Sequence, residues 1–329
     1  MLRSETDGAP QHRAAALQGL RAYQEAPRPP RPPAMPVVAA AGRALLRDYG
    51  GTGPPVVFIP SLINPPDVLD LAADNSLLRW LATQGVHPLL VDWATPTPDE
   101  RTRSVAGHVE GLLLPLLDAV GEPVSLAGYC LGGTMALAAA ARRPVHSLAL
   151  IAAPWRFAGF PETARADIAT LWAGAEPLAT RLGLLPMEVL QAGFWRLDPA
   201  RTIAKFEAFG QLAPESDAAR GFVALEDWAN DGPPLTEAAA RELMVDFFGA
   251  DLPGSRRWRV AGAPVDPVAL SCPVLDIVST TDRIVPAASA AGFGAMLTLD
   301  SGHVGMVVGR RARAALWAPL ARWLSAPLG

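Results

Sequence analysis

The chain reads as an α/β fold: a mostly parallel central sheet covered by helices on both faces, with a helical cap inserted late in the sequence. Short, continuously apolar runs such as "PPVVFIP" (54–60) and "CPVLDIVST" (272–280) alternate with longer helical patterns. Strands that are apolar all round belong in a parallel sheet buried on both sides. From about Trp155 to Val265 this alternation stops, and helical patterns carrying Trp172, Phe194, Trp195, Trp228, Phe247 and Phe248 take over.

Taken in order, a helical arm over about 11–25 is followed by "PRPPRPPAMP" (27–36), which has the composition of an extended polyproline linker. The arm and linker (1–36) are expected to be separate from the main domain. "RALLRDYG" (43–50) and 54–60 predict strands, and a helix is expected from about Leu69 to Gln84. A strand over 86–93, a helix over 105–120, a strand over 123–129, a helix over 131–143 and a strand over 145–153 complete the first half. The cap, 155–265, includes "PETARADIATLWAG" and "EAAARELMVDFFG". Strands over 272–280 and 295–300 and a terminal helix over 310–326 then close the core, which comprises 37–154 and 266–329.

The bulk numbers narrow the function. A chain of 329 residues, half of them hydrophobic, buries one large core or a core with a sizeable insertion. A formal charge of −4 with no basic run argues against nucleic acid. Lys205 is the only lysine, which reads as the bias of a GC-rich genome. The first twenty residues lack an apolar signal-peptide core, and no stretch approaches the ~18–20 apolar residues of a membrane span. Two cysteines make no disulfide framework, which fits a reducing cytoplasm.

"SLAGYCLGGTM" (125–135) places Cys130 between a predicted strand and a predicted helix. This is the context of a nucleophile elbow, with cysteine where serine usually stands. Glycines two before and two after the nucleophile let neighbouring backbone approach the tight turn. The helix that starts there aims its free N–H groups and positive dipole end at the side chain, favouring thiolate, the reactive form. The other reading of Cys130 is a small buried residue at a strand end.

A thiol nucleophile needs a base, and the chain has five histidines. His12 lies in the arm, His87 and His146 open their strands at the opposite sheet edge, and His108 has apolar neighbours within a helix. His303, in "DSGHVGM", follows the last strand at the same edge as Cys130. The orienting acid is expected at the carboxyl end of the preceding strand, at Asp282; Asp276 lies inside that strand, and Asp300 is the rival. The order Cys130, Asp282, His303 is nucleophile, acid, base, as in the α/β-hydrolase fold. Cys272 begins its strand, too far from Cys130 for a disulfide, and reads as core. An oxyanion site would combine the Leu131 N–H with that of Leu62 or Ile63 in "SLINPPDVLDL". Asn64 either fixes that loop, touches substrate, or is a plain Asn-Pro turn. No cofactor or metal site is indicated.

These residues resemble the polyhydroxyalkanoate synthases over about 43–326. The likeness includes "IPSLINPPDVLDLAADNSLLRWLATQGVHPLLVDW", the elbow "GYCLGG", "SGHVGMVV", and in the cap "FWRLDPARTIAKF" and "ALEDWANDGPPL". The resemblance implies a cysteine acyltransferase that polymerises (R)-3-hydroxyacyl-CoA into polyester and releases CoA, with Cys130, Asp282 and His303 as its triad. It also implies a role for Asp282, with His303, as base toward the substrate's 3-hydroxyl. Location in the cytoplasm at the polyester granule surface follows from the same likeness. Arg283 departs from the histidine that the family often has after the acid. The chain's length resembles subtypes that work with a second, non-catalytic subunit; a homodimer and such a partner are the expected assemblies. A cysteine hydrolase on the same fold (a polyester depolymerase or thioesterase) and a non-catalytic granule-binding protein are the alternatives.

Overall fold

The computed structural model describes residues 2–28 and 31–326, so Pro29 and Pro30 of the expected linker lie outside the described residues. Its centre is an eight-stranded sheet. The strands are β1 (Val37–Ala41), β2 (Ala44–Asp48), β3 (Pro55–Ile59), β4 (His87–Asp92), β5 (Ser125–Tyr129), β6 (Leu148–Ile151), β7 (Val274–Ser279) and β8 (Ala295–Leu299). Their order across the sheet is β1-β2-β4-β3-β5-β6-β7-β8. β1 and β2 form an antiparallel hairpin, β2 runs antiparallel to β4, and every pairing from β4 to β8 is parallel. Every residue of β3, β5, β6 and β7 is buried, as strands covered on both faces require.

The expected strand over 43–50 is therefore the second arm of a hairpin whose first arm, β1, was not legible. Gly42, at φ 55°, makes the tight turn between them. β1 pairs at the sheet margin with most of its residues exposed, so it carries no core pattern to read.

Helices on the two faces complete the layers. The arm is α1 (Pro10–Glu25). The expected helix over 69–84 reduces to α2 (Leu77–Ala82). Before it the chain forms a one-turn helix (Pro66–Leu69) and a small hairpin (Asp70–Ala72 with Asn75–Ser76). Polar groups decide the difference. The Ser76 hydroxyl accepts the Arg79 N–H and starts the helix late. The Asp70 carboxylate is held by the Arg79 guanidinium (2.8 Å) and the Tyr49 hydroxyl (2.9 Å).

The helix over 105–120 forms as expected but with a π-turn, Val109–Leu113, just before Pro115. The wider turn relieves the clash and the missing N–H that proline brings to a regular helix. α3 (Leu131–Ala140) follows β5 directly and is buried along nearly its whole length.

Between β6 and β7 the chain leaves the sheet. Helices Glu162–Leu182 and Met187–Leu197, α4 (Pro199–Phe209), α5 (Asp217–Asn230) and a helical run over 237–249 fill this interval. The arm docks here rather than standing apart. Tyr23 of α1 packs with Phe206 and Phe209 of α4 and Phe222 of α5, with Phe209 and Phe222 stacked at 4.4 Å. The Tyr23 hydroxyl donates to Asp227 at 2.6 Å. A Cβ at Gly19 would lie 1.7 Å from the Phe206 carbonyl oxygen, so glycine permits the close crossing of α1 and α4. A short apolar stripe does not say which partner it meets, which is why the arm looked detachable.

His108 is buried, with its ring nitrogens 2.6 Å from an Arg43 guanidinium nitrogen and 2.7 Å from the Ser104 carbonyl oxygen. Burial, outweighing the Ser104 hydrogen bond and aided by the Arg43 charge, pushes the imidazole down to about 4. The unfolded chain protonates this residue near 6.5 while the folded one does not, so stability falls as pH drops from about 6.5 to 4. The loss is about 3 kcal/mol. Urea unfolding of wild type and His108→Gln at pH 7 and 4.5 measures it: the variant should lose distinctly less on acidification, and identical losses would rule the assignment out.

Candidate active site

β5 delivers the chain into Cys130 at φ 55°, ψ −132°, a conformation that L-residues rarely adopt. Such strain costs on the order of 1–3 kcal/mol and persists where surroundings enforce it. The enforcement is visible in the glycines. A Cβ on Gly132 would sit 2.0 Å from the Ile59 carbonyl oxygen, and one on Gly128 would sit 2.4 Å from the Gly133 Cα. Backbone cannot yield as a flexible side chain does. Gly132→Ala is accordingly expected to destabilise the protein by about 3 kcal/mol or more, read as a lower midpoint in urea. A midpoint equal to wild type would show that the elbow is not tight.

Cys130 is half-buried, and Leu131 begins α3 immediately after it. The first N–H groups of that helix have no partners within it and face the thiol's end of the turn. Cys272 is also a free thiol, half-buried, and burial pushes it up.

His303 lies in the loop after β8, almost fully buried, and its Nδ1 is 2.7 Å from Oδ2 of Asp282. The other oxygen of Asp282 accepts the N–H groups of Ile284 (2.8 Å) and Val285 (2.9 Å). Both carboxylate oxygens are thus engaged, and the acid cannot swing. Burial alone would push the His303 imidazole down. The charge of the Cys130 sulfur, the Asp282 hydrogen bond and a hydrogen bond with Cys130 outweigh it and raise the group to about 10. Cys130 and Asp282 together therefore favour the protonated imidazole.

The remaining candidates are elsewhere. Asp300 is exposed and faces Arg311 at 3.4 Å, while Asp276 is buried inside β7 and accepts the Gly292 N–H at 2.8 Å. His12 pairs with Glu207 and His87 with Asp48, and the His146 backbone N–H donates to the Val124 carbonyl. Among the described residues no group of three or more His, Cys, Asp or Glu is gathered so as to hold a metal ion.

In the loop after β3, the Ile63 N–H donates to the Ser61 hydroxyl at 3.0 Å. That removes Ile63 as an oxyanion donor and leaves the buried Leu62 as the candidate from this loop. Asn64, at φ 65°, donates its side-chain N–H to the Ala229 carbonyl at 3.1 Å, so it fixes the loop. The Trp228 indole N–H donates to the Pro65 carbonyl at 2.9 Å, tying the same loop to α5. On the other side of the site, Arg283 pairs with Asp198, the residue that caps α4, at 2.5 Å. The loops that flank Cys130 and carry Asp282 are therefore both tied to the inserted helices.

Sequence reasoning missed one neighbour. The Tyr129 ring stacks on the His303 imidazole, centroids 5.0 Å apart and planes 24° apart, and its hydroxyl donates to the His303 carbonyl at 3.3 Å. Burial, with the Cys130 and Asp282 charges, pushes the phenol well above its usual value and keeps it a neutral donor. Its place beside Cys130 in the elbow was the available signal.

No family model matches the chain. The chain is 25% identical over 292 residues to the poly(3-hydroxyalkanoate) polymerase subunit PhaC of Haloferax mediterranei, covering 82% of this chain and 58% of that protein. The corresponding Synechocystis protein is 27% identical over 293 residues, covering 82% of this chain and 77% of its own length. The Allochromatium vinosum protein is 24% identical, with 82% and 80% covered. The chain thus spans about three-fifths of the Haloferax relative and of the Haloarcula marismortui one, of which 60% is covered. Among solved structures, an α/β-hydrolase fold protein from Nakamurella multipartita superposes over 89% of this chain and 99% of its own, with TM-score 0.50 at 19% identity. An epoxide hydrolase of the α/β-hydrolase superfamily, from hot-environment metagenomes, does so with TM-score 0.53 at 14% identity, again over 89% of this chain and 99% of its own. These structures speak for the fold alone. The chain has the α/β-hydrolase fold, and in sequence it is a homologue of the poly(3-hydroxyalkanoate) polymerase subunits.

Proposed function

We propose that the protein is a polyhydroxyalkanoate synthase, a cysteine acyltransferase acting on (R)-3-hydroxyacyl-CoA. The observation that carries this reading is a thiol, not a hydroxyl, at the nucleophile elbow of a chain homologous to such polymerases. Cys130, His303 and Asp282 act as nucleophile, base and orienter. The Cys130 sulfur attacks the thioester carbonyl, and its electron pair forms the new C–S bond. The C–S bond to CoA then breaks, and the His303 imidazolium gives its proton to the departing CoA sulfur. The N–H groups of Leu131 and Leu62 hold the oxyanion between these events.

In elongation, neutral His303 takes the proton of an incoming 3-hydroxyl as its oxygen attacks the acyl group on sulfur. An ester forms, and the Cys130 sulfur leaves as the anion. Transfer between thioesters is close to isoenergetic, which a serine ester would not allow. The geometry favours His303 over Asp282 as the base, because both Asp282 oxygens are already bonded. The inserted helices over 155–265 serve as a cap that keeps water from the acyl-enzyme, and their ties to both flanking loops support that role. We place the enzyme in the cytoplasm at the polyester granule. No helix among the described residues is long and apolar enough to cross a membrane.

The test is to incubate the purified protein with (R)-3-hydroxybutyryl-CoA, titrating free CoA and following the acyl group by mass spectrometry. CoA with oligomeric or polymeric ester is the expected result. CoA with free 3-hydroxybutyrate alone would make the protein a hydrolase. Absence of CoA release with short and longer acyl chains, with and without a candidate second subunit, would overturn the enzyme reading.

A further inference from the structure

Tyr129 stacks on the face of the His303 ring and belongs to the same strand end as Cys130. It is 4% exposed, so its position is set by packing and not by solvent. The offset stack brings the negative face of the phenol ring against whichever form the imidazole adopts. A π face attracts a cation within about 6 Å of its centroid and is nearly indifferent to the neutral ring. The hydroxyl anchors the backbone carbonyl of His303 itself, so one residue fixes both the plane of the imidazole and the loop that carries it.

We propose that Tyr129 is a positioning residue that stabilises the imidazolium form of His303 and holds its ring in the plane needed to exchange a proton with Cys130. The proposal rests on Cys130 and His303 working as nucleophile and base, and it adds a third contact to the two at the edge of the imidazole. Asp282 fixes Nδ1, Cys130 acts on the ring through charge and a hydrogen bond, and Tyr129 supports its face. The groups that meet the ring from neighbouring elements are thus the Cys130 sulfur, the Asp282 carboxylate and the Tyr129 phenol. The phenol stays neutral, so its contribution can be altered without changing the charge of the site.

The experiment uses full-length protein with isotope-labelled histidine and follows the His303 resonance against pH by NMR. Wild type is compared with Tyr129→Phe and with the same Phe carried fully fluorinated on its ring. Fluorination reverses the ring's face potential at nearly constant shape, so the fold is preserved where a smaller aliphatic residue would leave a hole. The Phe variant should titrate within a few tenths of a unit of wild type. The fluorinated variant should release the His303 proton about one unit lower, a tenfold weaker hold on the cation. Equal titration of the two ring variants would overturn the proposal: if both stay near wild type the ring face does not hold the cation, and if both drop the hydroxyl anchor does all the work. The titration needs no acyl-CoA. A failed polymerase assay therefore sinks the synthase reading alone, and an unchanged titration sinks this inference alone.

Discussion

Cys130→Ala is expected to abolish acyl transfer, with CoA release falling by on the order of 10⁶-fold, while the protein stays folded. The elbow conformation is already held by a residue with a Cβ, and alanine at φ 55° keeps the same Cβ and the same backbone strain. What disappears is the sulfur, the proposed nucleophile and the neighbour that does most to raise His303. The variant should give no covalent acyl adduct by intact-protein mass spectrometry and should unfold at a urea midpoint close to wild type. An adduct on another residue, or substantial CoA release from the folded variant, would remove Cys130 from the mechanism.

Asp282→Asn should slow acylation itself and not elongation alone, by on the order of 10²–10⁴-fold. The reason is geometric. One oxygen of Asp282 holds two backbone N–H groups and the other holds Nδ1 of His303. An amide in that place retains one acceptor for one set of partners and presents an N–H to the other. The imidazole then loses a hydrogen bond and a charge that raise it, and the Nδ1-protonated state is no longer enforced. Single-turnover acylation of Cys130, read by mass spectrometry before any chain grows, separates the two steps. If acylation survives at near wild-type rate and only elongation fails, Asp282 is the base for the substrate hydroxyl and the orienting role falls.

Much of this candidate site was legible in the sequence. Cys130 announces itself through flanking glycines whose absent side chains make room for backbone, as the contacts at Gly128 and Gly132 bear out. His303 and Asp282 follow from strand order, because a parallel sheet puts all its strand ends at one edge and restricts partners to the loops found there. The sheet was equally readable, since β3, β5, β6 and β7 are buried on both faces and so apolar throughout. β1 and the short α2 were not, because one is an exposed margin and the other begins late, where Ser76 caps the Arg79 N–H and Asp70 is held by Tyr49, 21 residues earlier.

The sequence by itself determined the layered α/β plan, the elbow and the residues that gather at its edge. These depend on local volume, hydrophobic period and chain order, which are written along the chain. Only the tertiary structure decided that Ile63 spends its N–H on Ser61, that Asn64 and Arg283 tie the flanking loops to the inserted helices, and that the arm docks through Tyr23 on α4 and α5. It also decided that Tyr129 lies under His303. Each of these is a contact between residues far apart in sequence or a choice among equivalent donors, and both are settled by how surfaces meet in three dimensions.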